Sequence, residues 1–206
     1  MKLFYIPETC ALAVHIAARE AGIDLDLVRV ERHGGGHRVD GGDYAAINPK
    51  DRVPAVEIDG EILTETQVIL QYVAALAPDR LPVPARGMAR WRLVEMLGFI
   101  TAELHRGLSP LFHPEIAPDH KKRLLAAFAR NLGLLQAMLG RRPYLMGEAF
   151  TVADIYAFVV IGWARHFDAD FDADFDTWPM LAAWRARVAA RPAVQRALRE
   201  EGMDAA

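Results

Sequence analysis

The chain lacks the features that mark secreted, membrane-spanning and nucleic-acid-binding proteins. Cys10 is the one cysteine among 206 residues, so an internal disulfide is impossible and a cysteine-stapled secreted scaffold is excluded. A formal net charge of -3 offers no basic surface to nucleic acid. No apolar run approaches the roughly 20 residues of a membrane span, and Pro7 and Glu8 interrupt the N-terminal run before a signal-peptide core forms. We therefore expect a cytoplasmic protein without a membrane or nucleic-acid partner.

Metal-binding patterns are also missing from the sequence. The seven histidines stand at no metal-ligand spacing with cysteine or carboxylates. The acidic segment FDADFDADFD at 167–176 lacks the glycine and the terminal glutamate of a calcium loop, and we interpret it as a solvated loop. The sequence therefore predicts no metal cofactor.

The first third of the chain alternates strand and helix patterns. Hydrophobic residues make up 52% of the sequence and charged residues 25%, which is the balance of a globular protein. Five glycines within residues 32–43 indicate a flexible loop without the spacing of a dinucleotide or phosphate-binding motif. Around that loop the patterns predict a strand at 2–6, a helix at 11–21 closed by Gly22, a strand at 25–31, a hairpin at 53–65 and a helix at 65–77.

Only helical patterns follow the last of these elements. Three prolines without periodicity at 77–87 indicate a linker. We predict an α/β domain at 1–78, a linker at 79–86 and an all-α domain at 87–206. The helices of the second domain are predicted at 88–112, 117–140 and 150–167, with two short helices at 178–202 that are separated at Pro192.

The predicted helix at 150–167 is apolar almost throughout, which indicates a central, buried helix. Thr151 and Asp154 at its start have the spacing of a capping box, in which each side chain accepts a hydrogen bond from a free backbone N–H. We interpret this pair as a folding feature and not as a binding site.

Cys10 stands between the first predicted strand and the first turn of the helix that follows it. The free N–H groups and the positive dipole end of a helix start favour a thiolate, so this placement is expected to lower the thiol pKa. The alternative is that Cys10 simply packs, since free cysteines are often buried. Position alone leaves both interpretations open.

Two further segments have the chemistry to hold a peptide-like ligand. Val53 precedes Pro54 at a strand start; a cis bond there would present the Val53 backbone to an extended peptide, whereas a trans bond would make it an ordinary strand start. Glu65 and Thr66 open a helix, where free N–H groups suit a ligand carboxylate and Glu65 suits an ammonium. Plain helix capping also explains the second pattern.

Taken together, the sequence resembles the bacterial beta-class glutathione transferases along essentially the whole chain. The matching segments are, in order, MKLFYIPETC followed by a helix, AINPKDRVPA, ILTETQVILQYVA, ELHRGLSPLF and FTVADIYAF. The resemblance implies a thioredoxin-like N-terminal domain, an all-helical C-terminal domain and a homodimer. It also implies glutathione bound along the first domain, and an apolar pocket facing the helices for a small hydrophobic electrophile or disulfide.

The resemblance assigns roles to residues in five segments. Cys10 matches the cysteine next to the glutathione sulfur, and His105 and Arg106 match a histidine–basic pair near the thiol and the dimer cleft. His105 alone would read as an ordinary satisfied histidine. The residues matching the glutathione-binding positions are Val53, which pairs with the cysteinyl backbone, the expected cis-proline Pro54, the pair Glu65 and Thr66, which holds the γ-glutamyl end, and, for a basic residue of the glycine-rich segment, His37 or Arg38.

Four features depart from the family pattern. Thr66 stands where serine is usual, a mild change that keeps the hydroxyl donor. Ala11 stands where serine is frequent, so one hydroxyl near the sulfur is missing. Gly98 stands where relatives carry a polar residue that reaches across the dimer, and the glycine-rich segment at 33–42 is unusual. These departures bear on how glutathione is held.

Three functions are compatible with the resemblance. The first is a glutathione transferase that conjugates glutathione to hydrophobic electrophiles, carries out thiol–disulfide exchange through Cys10, or does both. A cysteine where other classes have tyrosine or serine favours redox activity accompanied by modest conjugation. The second is a non-catalytic binding protein that reuses the fold, and the third is a dedicated glutathione-dependent dehalogenase. Retention of Cys10, Val53 and Glu65 together favours an enzyme, because a pure interaction module would not need all of them.

Overall fold

The structure, a computed structural model, describes residues 1–170 and 177–203, so most of the acidic segment interpreted above as a solvated loop lies outside the described residues. The chain divides into two compact units. The first comprises Met1–Pro82 together with Ala189–Ala206, and the second comprises Val83–Val188. The predicted domains differ in assigning the last helix to the second domain, and that division stays a prediction.

The first unit is a thioredoxin-like α/β fold, as predicted. In its Met1–Pro82 part, two helices and the longer strands form where the sequence has its apolar runs, and Gly22, in a left-handed conformation with φ of 71°, ends the first helix. In chain order the elements are β1 (Lys2–Tyr5), α1 (Ala11–Ala21), β2 (Asp26–Arg29), β3 (Glu31–His33), β4 (Gly36–Val39), β5 (Gly42–Asp43), a 3-10 turn (Tyr44–Ala46), β6 (Ala55–Ile58), β7 (Glu61–Thr64) and α2 (Thr66–Leu76).

The main sheet has the strand order β2-β1-β6-β7. The buried strand β1 runs parallel to β2 and antiparallel to β6, with Phe4 opposite Val28 on one side and Ala55 on the other. Because β1 and β6 run in opposite directions, the end of β1 and the start of β6 meet at one edge of the sheet. This topology brings Cys10, which follows β1, to Val53, which precedes β6.

The predicted flexible loop at residues 32–43 is wrong. This segment belongs to a second, antiparallel sheet with the order β3-β4-β5. Asp40 and Gly41 have φ of 50° and 75°, and Gly34 has φ of 57°, so these residues supply the positive φ angles that tight hairpin turns require. The glycine density therefore marks two turns between short strands, and the Asp-Gly pair was the signal for one of them.

The second unit is all-helical, as predicted. After β7 the described residues contain no further strand, only one isolated bridge between Tyr144 and Gly147. In chain order the elements are α3 (Gly87–Phe99), a π-helical segment (Ile100–His105), α4 (Arg106–Leu108), a 3-10 segment (Ser109–Phe112), α5 (Pro118–Leu139), α6 (Val152–Gly162), a 3-10 segment (Trp163–Asp170) and α7 (Pro179–Ala189).

Helix α6 is buried along its length, from Val152 to Ile161, which confirms the predicted buried helix. Its capping box is also confirmed. The Ala153 N–H donates to Thr151 Oγ1 at 3.3 Å, and the Thr151 N–H donates to Asp154 Oδ2 at 2.9 Å. This start leaves its hydroxyl and its carboxylate fully occupied within the second unit.

The last helix, α8 (Pro192–Glu200), packs on α1 within the first unit. Arg191 before α8 binds Glu20 near the end of α1 through two hydrogen bonds of 2.6 and 2.8 Å. At the other end of α8, Glu200 accepts a hydrogen bond from Arg19 at 2.7 Å. Among the described helices, none has both the length and the apolar character to cross a bilayer.

Candidate active site

Cys10 directly precedes α1, at its N-cap position. Its carbonyl accepts a hydrogen bond from the Ala13 N–H at 3.1 Å, and its side chain makes no capping hydrogen bond to the helix. The thiol instead points to the start of β6, where Sγ donates to the Val53 carbonyl oxygen at 3.4 Å. Cys10 is 8% exposed, so the sulfur is covered and is directed at a peptide group outside its own helix.

The expected lowering of the Cys10 pKa is wrong. Burial raises the pKa of the thiol to about 11, because the thiolate loses its hydration. The Thr66 hydroxyl, the Cys10 N–H and the charge of Arg52 favour the thiolate, but they do not compensate for burial. Cys10 is therefore a neutral thiol at neutral pH when the site holds no ligand.

The Val53–Pro54 peptide bond is cis, as the resemblance implied. Val53 is half-buried, and Pro54 is buried directly before β6. The Val53 carbonyl faces Cys10, so the backbone at this bend lies beside the sulfur.

Two residues that were not predicted from the sequence fix the backbone directly before Val53. The carbonyl oxygen of Arg52 accepts hydrogen bonds from the Asn48 side-chain amide at 2.6 Å and from the Tyr44 hydroxyl at 3.1 Å. Both donors are buried, so the carbonyl is fixed from inside the protein. The INPKDRVP segment was the available signal, because the adjacent residues Asn48 and Pro49, shortly before the bend at Val53, are typical of an ordered turn.

Glu65 and Thr66 lie at the start of α2, but the capping interpretation fails for Glu65. Its side chain makes no capping hydrogen bond, and its backbone has φ of 73° and ψ of 112°, a region that non-glycine residues rarely occupy. Thr66 is buried, and its hydroxyl reaches the Cys10 sulfur. The two side chains therefore point in different directions: the Glu65 carboxylate faces solvent, and the Thr66 hydroxyl faces the Cys10 thiol.

Lys50 was also missed by the sequence analysis. Its Nζ lies 2.6 Å from Glu65 Oε1 and 2.9 Å from Thr64 Oγ1. The Lys50 and Glu65 side chains are 54% and 58% exposed, so this ion pair lies in water and can exchange partners at little cost. A ligand ammonium can therefore reach the Glu65 carboxylate.

His37 lies on β4 and has its contacts on the segment before the cis-proline. Its Nδ1 is 3.0 Å from Asp51 Oδ1, an ion-pair distance without hydrogen-bond alignment, and its ring packs edge-on against Tyr44 with centroids 6.5 Å apart. Arg38 is exposed on the same strand. Among the described contacts, none joins His37 to Cys10 or Glu65, so its role in glutathione binding stays a prediction.

His105 and Arg106 belong to the second unit. His105 ends the π-helical segment, a helix distortion that is frequent at functional positions. Its Nδ1 is 2.6 Å from the Tyr156 hydroxyl, and its ring packs edge-on against Trp163 at 5.0 Å. Arg106 is exposed. The structure thus gives His105 a fixed orientation, and the catalytic roles of both residues stay predictions.

Within the first unit, three polar groups converge: the Cys10 thiol, the Val53 carbonyl and the Thr66 hydroxyl. This arrangement offers a thiol-bearing ligand hydrogen-bond donors beside its sulfur, and offers its peptide backbone a pairing partner. Among the described residues, no group of three or more His, Cys, Asp or Glu side chains could hold a metal ion.

Comparison with known proteins agrees with this chemistry. The family model described as glutathione S-transferase, N-terminal domain, matches residues 1–75, and the glutathione S-transferase C-terminal domain model matches residues 99–192. Glutathione S-transferase GstA of Escherichia coli O157:H7 is 39% identical to this chain over 206 residues, which cover 98% of this chain and 100% of that protein.

Solved structures give the same result. A bacterial beta-class glutathione S-transferase from Sphingomonas chungbukensis superposes with a TM-score of 0.90 at 38% identity, over 98% of this chain and 100% of that one. A sphingomonad glutathione S-transferase in complex with glutathione also has a TM-score of 0.90 at 38% identity, over 98% of this chain and 99% of that one. The predicted resemblance is confirmed, and the chain belongs to the glutathione S-transferase family.

Proposed function

We propose that this protein is a glutathione transferase that binds glutathione in its first unit and conjugates the glutathione sulfur to a hydrophobic electrophile. One observation carries the proposal: Cys10 donates to the Val53 carbonyl beside the cis-proline, within reach of the Thr66 hydroxyl. The sphingomonad relative was solved with glutathione bound, and that relative supports the same ligand here.

Each part of glutathione has a suitable partner. We assign the γ-glutamyl ammonium to the exposed carboxylate of Glu65 and the γ-glutamyl carboxylate to Thr66 at the N-terminus of α2. We assign the cysteinyl backbone to Val53, as in the addition of a strand. These three contacts would place the glutathione sulfur beside the Cys10 sulfur.

The electrostatics of Cys10 favour conjugation over thiol–disulfide exchange. A thiol with a pKa of about 11 is deprotonated in only about one molecule in ten thousand at pH 7. Attack by Cys10 on glutathione disulfide, which would form a mixed disulfide and release a glutathione thiolate, is therefore slow. A neutral Cys10 thiol can instead donate a hydrogen bond to the thiolate of bound glutathione, which lowers the pKa of the attacking sulfur.

Further features of the family extend the proposal. We assign His105, held by Tyr156, and Arg106 a role in tuning the site or supplying a proton, and we expect a homodimer in the cytoplasm. His37 is the proposed basic residue of the glycine-rich segment. These assignments rest on the resemblance.

The proposal is tested by calorimetric titration of glutathione and by conjugation to a chlorinated nitroaromatic electrophile, for wild type, Cys10→Ala and Cys10→Ser. We expect wild type to bind glutathione and to turn over. Cys10→Ala should bind within about threefold of wild type but conjugate about tenfold more slowly, and Cys10→Ser, which keeps a hydrogen-bond donor, should retain more of the rate. Wild type that fails to bind glutathione would overturn the proposal, and binding without turnover would favour the non-catalytic alternative.

A further inference from the structure

A buried carboxylate at the end of α8 links the residues on either side of Cys10. Glu201 Oε2 accepts a hydrogen bond from the Glu8 N–H at 3.3 Å, and Glu201 Oε1 lies 3.0 Å from His15 Nδ1. Glu8 precedes Cys10 by two residues and His15 follows it by five. One side chain from the far end of the chain thus spans the segment that presents the thiol.

The turn before Cys10 benefits from such an external contact. Glu8 has φ of 62°, a left-handed conformation that costs a non-glycine residue free energy. Thr9 stabilises the turn locally, since its hydroxyl donates to the Ile6 carbonyl at 2.7 Å and accepts from the Ala11 N–H at 3.3 Å. The Glu201 carboxylate adds a contact from outside the turn, because it accepts the Glu8 N–H.

The contact of Glu201 with α1, through His15, is also well supported. His15 is fully buried, and its Nε2 lies 2.7 Å from Glu200 Oε2, so its ring is held between two carboxylates. The side chain of Glu201 is also fully buried. A buried carboxylate is costly unless its oxygens have partners, so Glu201 has few alternative positions.

We propose that Glu201 is a positioning residue for Cys10, holding the Glu8–Cys10 turn against α1 so that the thiol stays beside Val53 and Thr66. This inference rests on the proposed use of Cys10 with glutathione. Glu201 does not touch the sulfur; it acts through the Glu8 peptide group and through His15. Loss of Glu201 would therefore shift the thiol out of its covered position without removing any glutathione contact.

A competing explanation is that Glu201 only stabilises the packing of α8 on α1. The chain provides a matched control, because Arg191 and Glu20 fasten the opposite end of the same helix pair through two hydrogen bonds. Arg191→Ala removes these two hydrogen bonds, which lie at the other end of α8 from Glu201. A general loosening of α8 would affect both variants alike, whereas positioning of Cys10 predicts an effect of Glu201 alone.

The test measures Cys10 directly, since it is the one cysteine of the chain. The alkylation rate by iodoacetamide is followed by mass spectrometry for wild type, Glu201→Ala, Glu201→Gln and Arg191→Ala, at a temperature where circular dichroism shows each variant folded. Glutathione conjugation is measured in parallel. We expect Glu201→Ala to be alkylated about fivefold faster, because the thiol becomes accessible, and to lose about tenfold in kcat with the KM for glutathione within about threefold.

The controls decide between the explanations. Arg191→Ala should stay within about twofold of wild type in both rates, and Glu201→Gln, which keeps an acceptor for the Glu8 N–H, should retain most of the wild-type behaviour. Unchanged alkylation and kcat in folded Glu201→Ala, or equal effects of Arg191→Ala, would overturn the proposal. Should Glu201→Ala not fold, Glu201→Asp, which is too short to span both partners, decides by the same alkylation measurement. Alkylation does not involve glutathione. The alkylation rates therefore test the positioning of Cys10 even if the proposed glutathione transferase function is wrong.

Discussion

The start of α6 in the second unit and the start of α2 in the first unit both carry a threonine and an acid, but the two pairs have different partners. At α6, Thr151 and Asp154 bond to each other and to the backbone, and both are buried. At α2, Glu65 faces solvent without capping its helix, and Thr66 turns to Cys10. The same chemical groups thus complete the fold in one unit and remain available to a ligand in the other.

Asp154 shows how completely the α6 groups are used. Besides Thr151, its Oδ1 accepts hydrogen bonds from the Leu145 N–H at 2.8 Å and from Trp184 Nε1 at 2.9 Å. The carboxylate therefore joins three parts of the helical unit. A group with this many internal partners has no capacity left for a ligand.

Glu65 shows the opposite case. Its left-handed backbone conformation costs about 1–3 kcal/mol at a non-glycine residue, and its partner Lys50 is an exposed cation that returns little stability. Backbone strain at a residue whose side chain stays exposed is typical of functional positions. The comparison shows how a capping pattern can indicate a binding site. It does so when the acidic side chain at the helix start makes no capping hydrogen bond and stays exposed to solvent.

Asp154→Ala should have the largest effect, and it acts on stability. The substitution leaves four buried donors without their acceptor: the N–H groups of Leu145 and Thr151, the Thr151 hydroxyl and the Trp184 indole. We expect a loss of about 3–5 kcal/mol in the free energy of unfolding, measured by urea denaturation. Thr151→Ser, which keeps the hydroxyl, should lose less than about 1 kcal/mol. A loss for Asp154→Ala no larger than that of Thr151→Ser would show that the hydrogen bonds of the Asp154 carboxylate contribute little to stability.

Cys10, the start of α1, extends the comparison to a titrating group. Its pKa is raised from about 9 to about 11 in the folded protein, so the folded state keeps the proton longer than the unfolded state. The thiol's contribution to stability is full below about pH 9 and is lost as the pH rises toward about 11. Wild type should therefore lose about 2–3 kcal/mol relative to Cys10→Ser over this window, measured by denaturant unfolding at several pH values. Parallel curves for the two proteins would contradict a raised pKa.

The sequence carried enough local pattern to predict an α/β region followed by an all-helical region and the capping box at Thr151, whereas the cis bond before Pro54 was expected only from the family resemblance. Periodicity and turn chemistry act over short separations, so they are visible in one dimension. The direction of the Cys10 pKa shift was predicted wrongly. The position of Cys10 at a helix start can be seen in the sequence, whereas the burial that raises its pKa depends on the folded chain. Lys50 and Glu201 were missed for the same reason, since Glu201 contacts His15 across 186 positions.

Glu65→Gln should have the smallest effect on the free energy of unfolding. It is also the clearest test of the functional difference between the starts of α2 and α6. The lost ion pair with Lys50 is exposed, so the free energy of unfolding should change by less than about 0.5 kcal/mol. A neutral amide cannot pair with the γ-glutamyl ammonium, so we expect the Kd for glutathione, measured by calorimetry, to rise about tenfold. Glu61→Gln, an exposed acid on β7, should leave both quantities unchanged. Wild-type affinity in Glu65→Gln would show that the acid at α2 is as little available to a ligand as the acid at α6, and the contrast between the two helix starts would lose its functional meaning.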